Sequence, residues 1–386
     1  MSETLLAVGV LVAVFVGYNI GGATTGVSFG PAVGAKVLPK VVSAALMSVF
    51  FLLGGWLIGP AVVRTLGEEL VTGSVLTLET GIGVLLFIGV ALFVGNVVGV
   101  PASTSMTTVG SIAGLGLATN SLNWATVAEI VSWWIVAPVV AFWVSGVIGR
   151  YFYPRINRWV AIRRRTDSLW RVDGGLGLAP DVDRREFVGS LVVIGIGCYM
   201  AFSSGASNVA NAVAPLVGSG SLSMDGGVLL AGGAVAIGAF TIARRTLDTM
   251  ANDITALPLT AAIVVMAVSG TIVTLLSAIG VPVQLVIVAT MSIVGLGWGR
   301  ATRTTTVSEA VRGEEGPSVS MGALTVDTEG EPLPRMGEER PEDIPRASAL
   351  FDPTTTARVI AVQNVVPAIA TVGSYLTFRY VPLFGL

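Results

Sequence analysis

The sequence predicts an all-α polytopic membrane protein built from two inverted-topology repeats with broken or re-entrant helices. Three observations lead there: a shortage of charge, a series of apolar runs of bilayer length, and an internal repeat at a steady offset. Of 386 residues, 53% are hydrophobic and 12% charged, and the mean hydropathy is +0.81. A soluble domain carries about 25% charged residues. Half that supply cannot cover a water-facing surface, so lipid faces most of the chain.

A bilayer core takes roughly 20 apolar residues per helix. Runs suited to this are Thr4–Asn19, Val41–Pro60, Gly81–Val98, Thr126–Gly149, Phe187–Phe202, Gly227–Thr241, Leu257–Ile279 and Val359–Phe378. The N-terminus lacks a basic region, so the first run reads as a transmembrane segment and not a cleaved signal. Four other stretches, 20–38, 101–119, 203–220 and 281–299, are apolar but interrupted by Gly, Ser, Thr and Pro. Non-helical backbone at membrane depth is tolerated only inside protein or along a cavity. These four are therefore expected to be broken helices or re-entrant hairpins in the interior.

The repeat is read by direct matching. At an offset of 184, Pro31-Ala-Val-Gly34 matches Pro215-Leu-Val-Gly218. At 181, Gly99-Val-Pro101 matches Gly280-Val-Pro282, and Ser111-Ile-Ala-Gly-Leu-Gly116 matches Ser292-Ile-Val-Gly-Leu-Gly297. The domains are then 1–150, a first transmembrane repeat; 151–186, a linker; and 187–386, a second repeat containing a polar loop, 300–352. Residues 150–186 hold nine Arg against five acids, and 300–352 hold eleven acids and six Arg in a Glu-, Pro- and Gly-rich stretch. With an odd number of crossings per half and the acidic N-terminus outside, both loops fall inside the cell, and the Arg-rich 150–186 segment agrees with the positive-inside rule. An odd number of crossings per half then makes the repeats inverted, a transporter architecture with substrate held near mid-membrane.

Several functions are excluded. A net charge of −2 offers no basic surface to nucleic acid. With no histidine there is no His-based metal site or proton relay, and with one cysteine, Cys198, no disulfide within the chain. No Ser/His pair, paired Asp or metal-ligand constellation suggests an enzyme; no catalytic residue and no cofactor are expected beyond a coupling Na⁺ or H⁺.

The candidate binding residues lie in the interrupted stretches. Thr24, Thr25 and Ser28 fall in the first, and Ser207, Asn208 and Asn211 in its repeat copy. Helix N-termini carry free N–H groups and about half a positive charge, so hydroxyls and amides beside such an end hold an anion without a basic side chain. Small residues also serve close helix packing; two related copies, each with a Pro, favour a site. Ser103, Thr104 and Ser105 follow Pro101, where they could join the site or simply cap a helix. Their repeat counterpart at Pro282 lacks hydroxyls, so the site is asymmetric. Intramembrane acids are functional candidates; Glu79 and Glu129 read as headgroup-facing, while Asp248 and Asp253 stay open. Trp133, Trp134 and Trp159 read as interfacial anchors.

Gly205-Ala-Ser-Asn-Val-Ala-Asn-Ala212, Pro101-Ala-Ser-Thr-Ser105 and Ile130-Val-Ser-Trp-Trp-Ile-Val-Ala-Pro138 together resemble the signature elements of the PiT inorganic phosphate transporters, over nearly the whole chain outside the two polar loops. The resemblance implies inverted repeats in the plasma membrane bilayer, inorganic phosphate as substrate, sodium or proton symport, and a homodimer. The departures matter. The signature Asp is Thr24 in one half and Asn208 in the other, and the His after the hydroxyl run is Met106. Neutral oxygens in place of carboxylates weaken the case for sodium, and the Asn19-Ile-Gly-Gly-Ala23 start and the Pro101 element resemble the sulfate-permease branch of the superfamily. A passive anion channel, and a membrane scaffold or sensor using 300–352, are the readings of other classes.

The orientation is open to test. With Cys198 replaced by Ala, single cysteines placed in 150–186 or 300–352 are expected to escape an impermeant maleimide added outside intact cells. Labelling of either loop would remove the basis for inverted repeats.

Overall fold

Seven helices among the described residues are long and apolar enough to cross a bilayer. The computed structural model describes residues 2–98, 103–159, 170–171, 177–178, 184–241, 258–302 and 353–381. Their helices, in chain order, are α1 Ser2–Gly34, α2 Lys40–Leu57, α3 Gly59–Arg64, α4 Leu78–Val98, α5 Thr104–Ala118, α6 Trp124–Val147, α7 Tyr153–Trp159, α8 Arg184–Gly218, α9 Met224–Thr241, α10 Leu259–Ala278, α11 Leu285–Ala301 and α12 Pro353–Tyr380. Single π-helical turns extend α3 over Thr65–Glu69 and α6 over Ile148–Phe152. Strand pairing among these residues is limited to a two-residue ribbon, Trp170–Arg171 with Gly177–Leu178, and one bridge between Val71 and Leu122. Helix is what lipid demands, because it satisfies every backbone group within the segment.

Two of the four interrupted stretches are not interrupted. Residues 20–34 and 203–218 complete the long helices α1 and α8, of 33 and 35 residues. Their polar side chains bond to carbonyls one turn back: Thr24 and Thr25 Oγ1 reach Ile20 and Gly21 O at 2.8 Å, and Asn208 Nδ2 reaches Ser204 O at 2.9 Å. Pro31 and Pro215 both sit in the last turn. The other two stretches are short helices, α5 of 15 residues and α11 of 17.

The helix boundaries recur along the chain. Shifted by 184, α2 lands on α9; shifted by 181, α4 lands on α10 and α5 on the start of α11. The contacts recur as well. Gly21 of α1 lies against the Val235 carbonyl of α9, and Gly238 of α9 against the Tyr18 carbonyl. Gly205 of α8 lies against the Phe51 carbonyl of α2, and Gly54 of α2 against the Phe202 carbonyl. An offset of 184 turns each pair into the other with the halves exchanged. At all four positions a Cβ would overlap a backbone oxygen, so only glycine permits the approach. At the centre α1 and α8 run antiparallel: Gly9 neighbours Leu216, and Gly197 neighbours Ser28 and Phe29.

The last helices cross over. α5 packs on α12, with Gly114 against the Thr371 carbonyl, and α11 packs on α6, with Gly295 against the Phe142 carbonyl. Gly114 and Gly295 are 181 apart, but Phe142 and Thr371, like Pro138 and Pro367 inside α6 and α12, are 229 apart. The polar segment between α11 and α12 is therefore an insertion of 48 residues.

Gly205→Leu is expected to destabilise the protein by at least the ~1–3 kcal/mol of an overpacked core, seen as a lower unfolding temperature in detergent. Gly195→Leu, with nothing within 4 Å of its Cβ position, is the control and should unfold close to wild type.

Candidate functional site

Ser204, Ser207, Asn208 and Asn211 occupy one face of α8 by their i, i+3, i+4, i+7 spacing, and all four are buried. The start of α5 meets this face. Ser103 is the N-cap of α5, in extended conformation, and its hydroxyl accepts from Met106 N at 3.3 Å. Thr104 Oγ1 donates to Asn208 Oδ1 at 2.5 Å. The third wall is the non-helical link from α10 to α11, whose residues Val281–Gln284 are buried.

That link survives in the interior because its backbone is held by side chains. Val283 N donates to Ser207 Oγ at 3.2 Å, and Ser105 Oγ donates to Val283 O at 2.9 Å. Trp134 Nε1, from α6, donates to Pro282 O at 2.7 Å. Gly280 turns the chain out of α10 at a φ of 86°, the left-handed region that glycine enters freely.

The amides form a directed chain. Asn208 Nδ2 donates to Ser204 O and, at 3.2 Å, to Ser204 Oγ. Asn208 Oδ1 therefore faces the other way and accepts from both Thr104 and Asn211 Nδ2, the latter at 3.1 Å. Every side chain in this cluster is neutral. Its positive potential comes from the start of α5 and the start of α11, which Ser105 and Val283 bring together. Two helix N-termini converging, each with free N–H groups, are an arrangement that favours negative charge. No group of His, Cys, Asp and Glu able to hold a metal ion occurs among the described residues.

Of the nine residues expected from sequence, six meet here: Ser103, Thr104, Ser105, Ser207, Asn208 and Asn211. Thr24, Thr25 and Ser28 are buried in α1, but no hydrogen bond among the described residues joins them to the cluster. Thr24 and Thr25 bond within their own helix, and Ser28 lies beside Gly197, about 15 Å along α8 from Ser207 at 1.5 Å per residue. Trp134, half-buried, gives its indole N–H to the Pro282 carbonyl. Glu79 and Glu129 are exposed, whereas Asp248 and Asp253 lie outside the described residues. Sequence reading missed Ser204, Val283 and Gln284. The helical spacing on α8 would have found the first, and the 181 offset, which pairs Gln284 with Ser103, the last.

The sequence matches the phosphate transporter family over residues 20–314. The sulfate permease CysP of Bacillus subtilis (strain 168) is 30% identical over 295 residues, spanning 75% of this chain and 77% of that protein. A putative phosphate permease of Helicobacter pylori (strain J99 / ATCC 700824) is 28% identical over 136 residues, 33% of this chain and 26% of the relative. A solved structure described as the sodium-dependent phosphate transporter superposes with a TM-score of 0.65 at 18% identity, over 98% of this chain and 100% of that one; the likeness is one of fold.

Ser207→Ala leaves the Val283 N–H without its partner, and Trp134→Phe does the same to the Pro282 carbonyl. Each is expected to lower stability by ~1–3 kcal/mol, read as a reduced unfolding temperature in detergent. Unchanged melting in both would mean that the link is not held by these bonds.

Proposed function

The chain belongs to the phosphate transporter family, and we propose that it is a multi-pass permease of the cell membrane, not an enzyme, carrying a small tetrahedral oxyanion. The observation that supports this best is the convergence of the α5 and α11 N-termini on the neutral face of α8. A doubly charged oxyanion offers acceptors in every direction, and hydroxyls and free helix N–H groups are donors that can turn toward it. In this reading Ser103, Thr104, Ser105, Ser207, Asn208 and Asn211 hold the anion, with phosphate the substrate by family. The 30% identical sulfate permease favours sulfate as the second reading.

The halves 1–150 and 187–386 act as inverted repeats in this proposal, joined by the linker 151–186. Support comes from the glycine contacts that repeat with the halves exchanged and from the antiparallel course of α1 and α8. Rocking one half against the other breaks and remakes the bonds that cross between them, Thr104 to Asn208 and Ser105 to Val283, so the site opens to each side in turn. A passive channel would need no such exchange. A homodimer and coupling to sodium or protons are carried over from the family resemblance.

The test is uptake of labelled phosphate and labelled sulfate into proteoliposomes, each competed by the other, with and without sodium and a pH gradient. Saturable uptake with counterflow is expected; uptake that is linear in concentration and shows no counterflow would make the protein a channel. Asn208→Asp adds a charge that repels the anion by ~4 kcal/mol per unit of anion charge at an effective dielectric of about 20. The new carboxylate also turns one oxygen toward the Ser204 carbonyl. Its uptake is expected to fall in sodium-free buffer at neutral pH and to recover partly with sodium or at lower pH, while Asn208→Ala falls without gaining sodium dependence. Normal transport by Asn208→Asp in every condition would place the anion elsewhere.

A further inference from the structure

Two side-chain oxygens at this cluster are buried without a hydrogen-bond partner among the described residues: Asn211 Oδ1 and Gln284 Oε1. Asn211 is 0% exposed and Gln284 6%. The orientation of Asn211 is set by its neighbours. The chain of amides starts at the Ser204 backbone carbonyl, which only accepts; it fixes Asn208, and Asn208 Oδ1 in turn requires the amide nitrogen of Asn211. Flipping Asn211 would set two carbonyl oxygens against each other, so its Oδ1 is committed as a free acceptor. Gln284 is the N-cap of α11, at the position that Ser103 holds on α5, but its side chain makes no capping bond. It directly follows Val283, whose N–H and C=O are bound by Ser207 and Ser105. Asn211 Nδ2 lies 3.5 Å from Ser105 Oγ, and that hydroxyl donates to Val283 O, so Asn211 and Gln284 flank the same Ser105–Val283 bond.

An acceptor buried without a donor is unfavourable, and a ligand that brings a donor relieves it. At neutral pH, sulfate is fully deprotonated and brings none. Inorganic phosphate carries one or two P–OH groups. Resting on the oxyanion-permease reading above, we infer that Asn211 and Gln284 are specificity-determining residues whose amide oxygens accept hydrogen bonds from the P–OH groups of phosphate, so that the chain selects phosphate over sulfate. The chain reads the substrate's proton with neutral amides, in a site where a carboxylate would repel the anion it had to recognise.

The experiment compares the two anions in the same vesicles, using the full-length chain in proteoliposomes and taking the ratio of labelled phosphate to labelled sulfate uptake at matched concentrations. Wild type is expected to prefer phosphate. Gln284→Leu and Asn211→Leu are each expected to cut that preference roughly tenfold, the equivalent of one buried acceptor, whatever they do to the absolute rate. The wild-type ratio should also rise as pH falls through neutrality and phosphate gains its second proton, a measurement that stands even if a variant fails to reconstitute. A wild type that prefers sulfate, a ratio unmoved by pH, or variants that alter sodium dependence but not the ratio would overturn the inference. A wild type that carries neither anion would overturn the oxyanion-permease reading itself, and this one with it.

Discussion

Backbone that leaves the helix inside a bilayer must find its hydrogen bonds in protein, and the central architecture here follows from meeting that requirement at Val281–Gln284. Three side chains from three different helices meet it: Ser105 of α5, Ser207 of α8 and Trp134 of α6. Because α5 and α6 belong to the first half of the sequence and the link to the second, the same bonds tie the halves together. The start of α11 is thereby held against the start of α5, and the positive ends of two helices share one location without any cation. The donors gathered in this position are a by-product of solving a backbone problem.

The second constraint is distance. Tyr18, Phe51, Phe202 and Val235 each present a carbonyl to a glycine of a neighbouring helix, and lipid supplies no hydrophobic drive to hold helices together once inserted. Close packing must do it instead, which requires glycine at these crossings. The four contacts sit around the middle of α1 and α8, the same stretch that carries Ser204 to Asn211. Small residues in the motif thus have two roles on two faces: Gly205 brings α2 close, and Ser207, Asn208 and Asn211 face the polar cluster.

The membrane character and most helix positions were legible because they depend on hydropathy. The hydroxyl run at Ser103–Ser105 and the amides of α8 were legible because their residue types imply chemistry. What was not legible was the course of residues 20–34 and 203–218. Glycine, Ser and Thr weaken a helix in water, but within packed protein a Thr hydroxyl can bond to the carbonyl one turn back and let the helix run on, as Thr24 and Thr25 do. The unequal roles of the two motif copies were hidden for a related reason. Thr24 stands where Asn208 stands, yet its short side chain reaches only its own helix, whereas the longer amide reaches α5. The match of α6 with α12 escaped notice because the inserted loop moves the offset from 181 to 229.

The exchange of last helices bears on how the chain comes to be folded. α5, at residues 104–118, has its extensive partner in α12, at residues 353–380. During synthesis the glycine face of α5 is complete more than two hundred residues before the helix that covers it. Contacts so far apart in sequence form late, since the intervening chain must first be ordered, and until then the surface is open to wrong partners. Assembly of the first half is therefore contingent on the arrival of the last, and a chain interrupted in the long polar insertion would leave α5 without its neighbour. The packing of α5 thus depends on a helix that arrives only late in the chain.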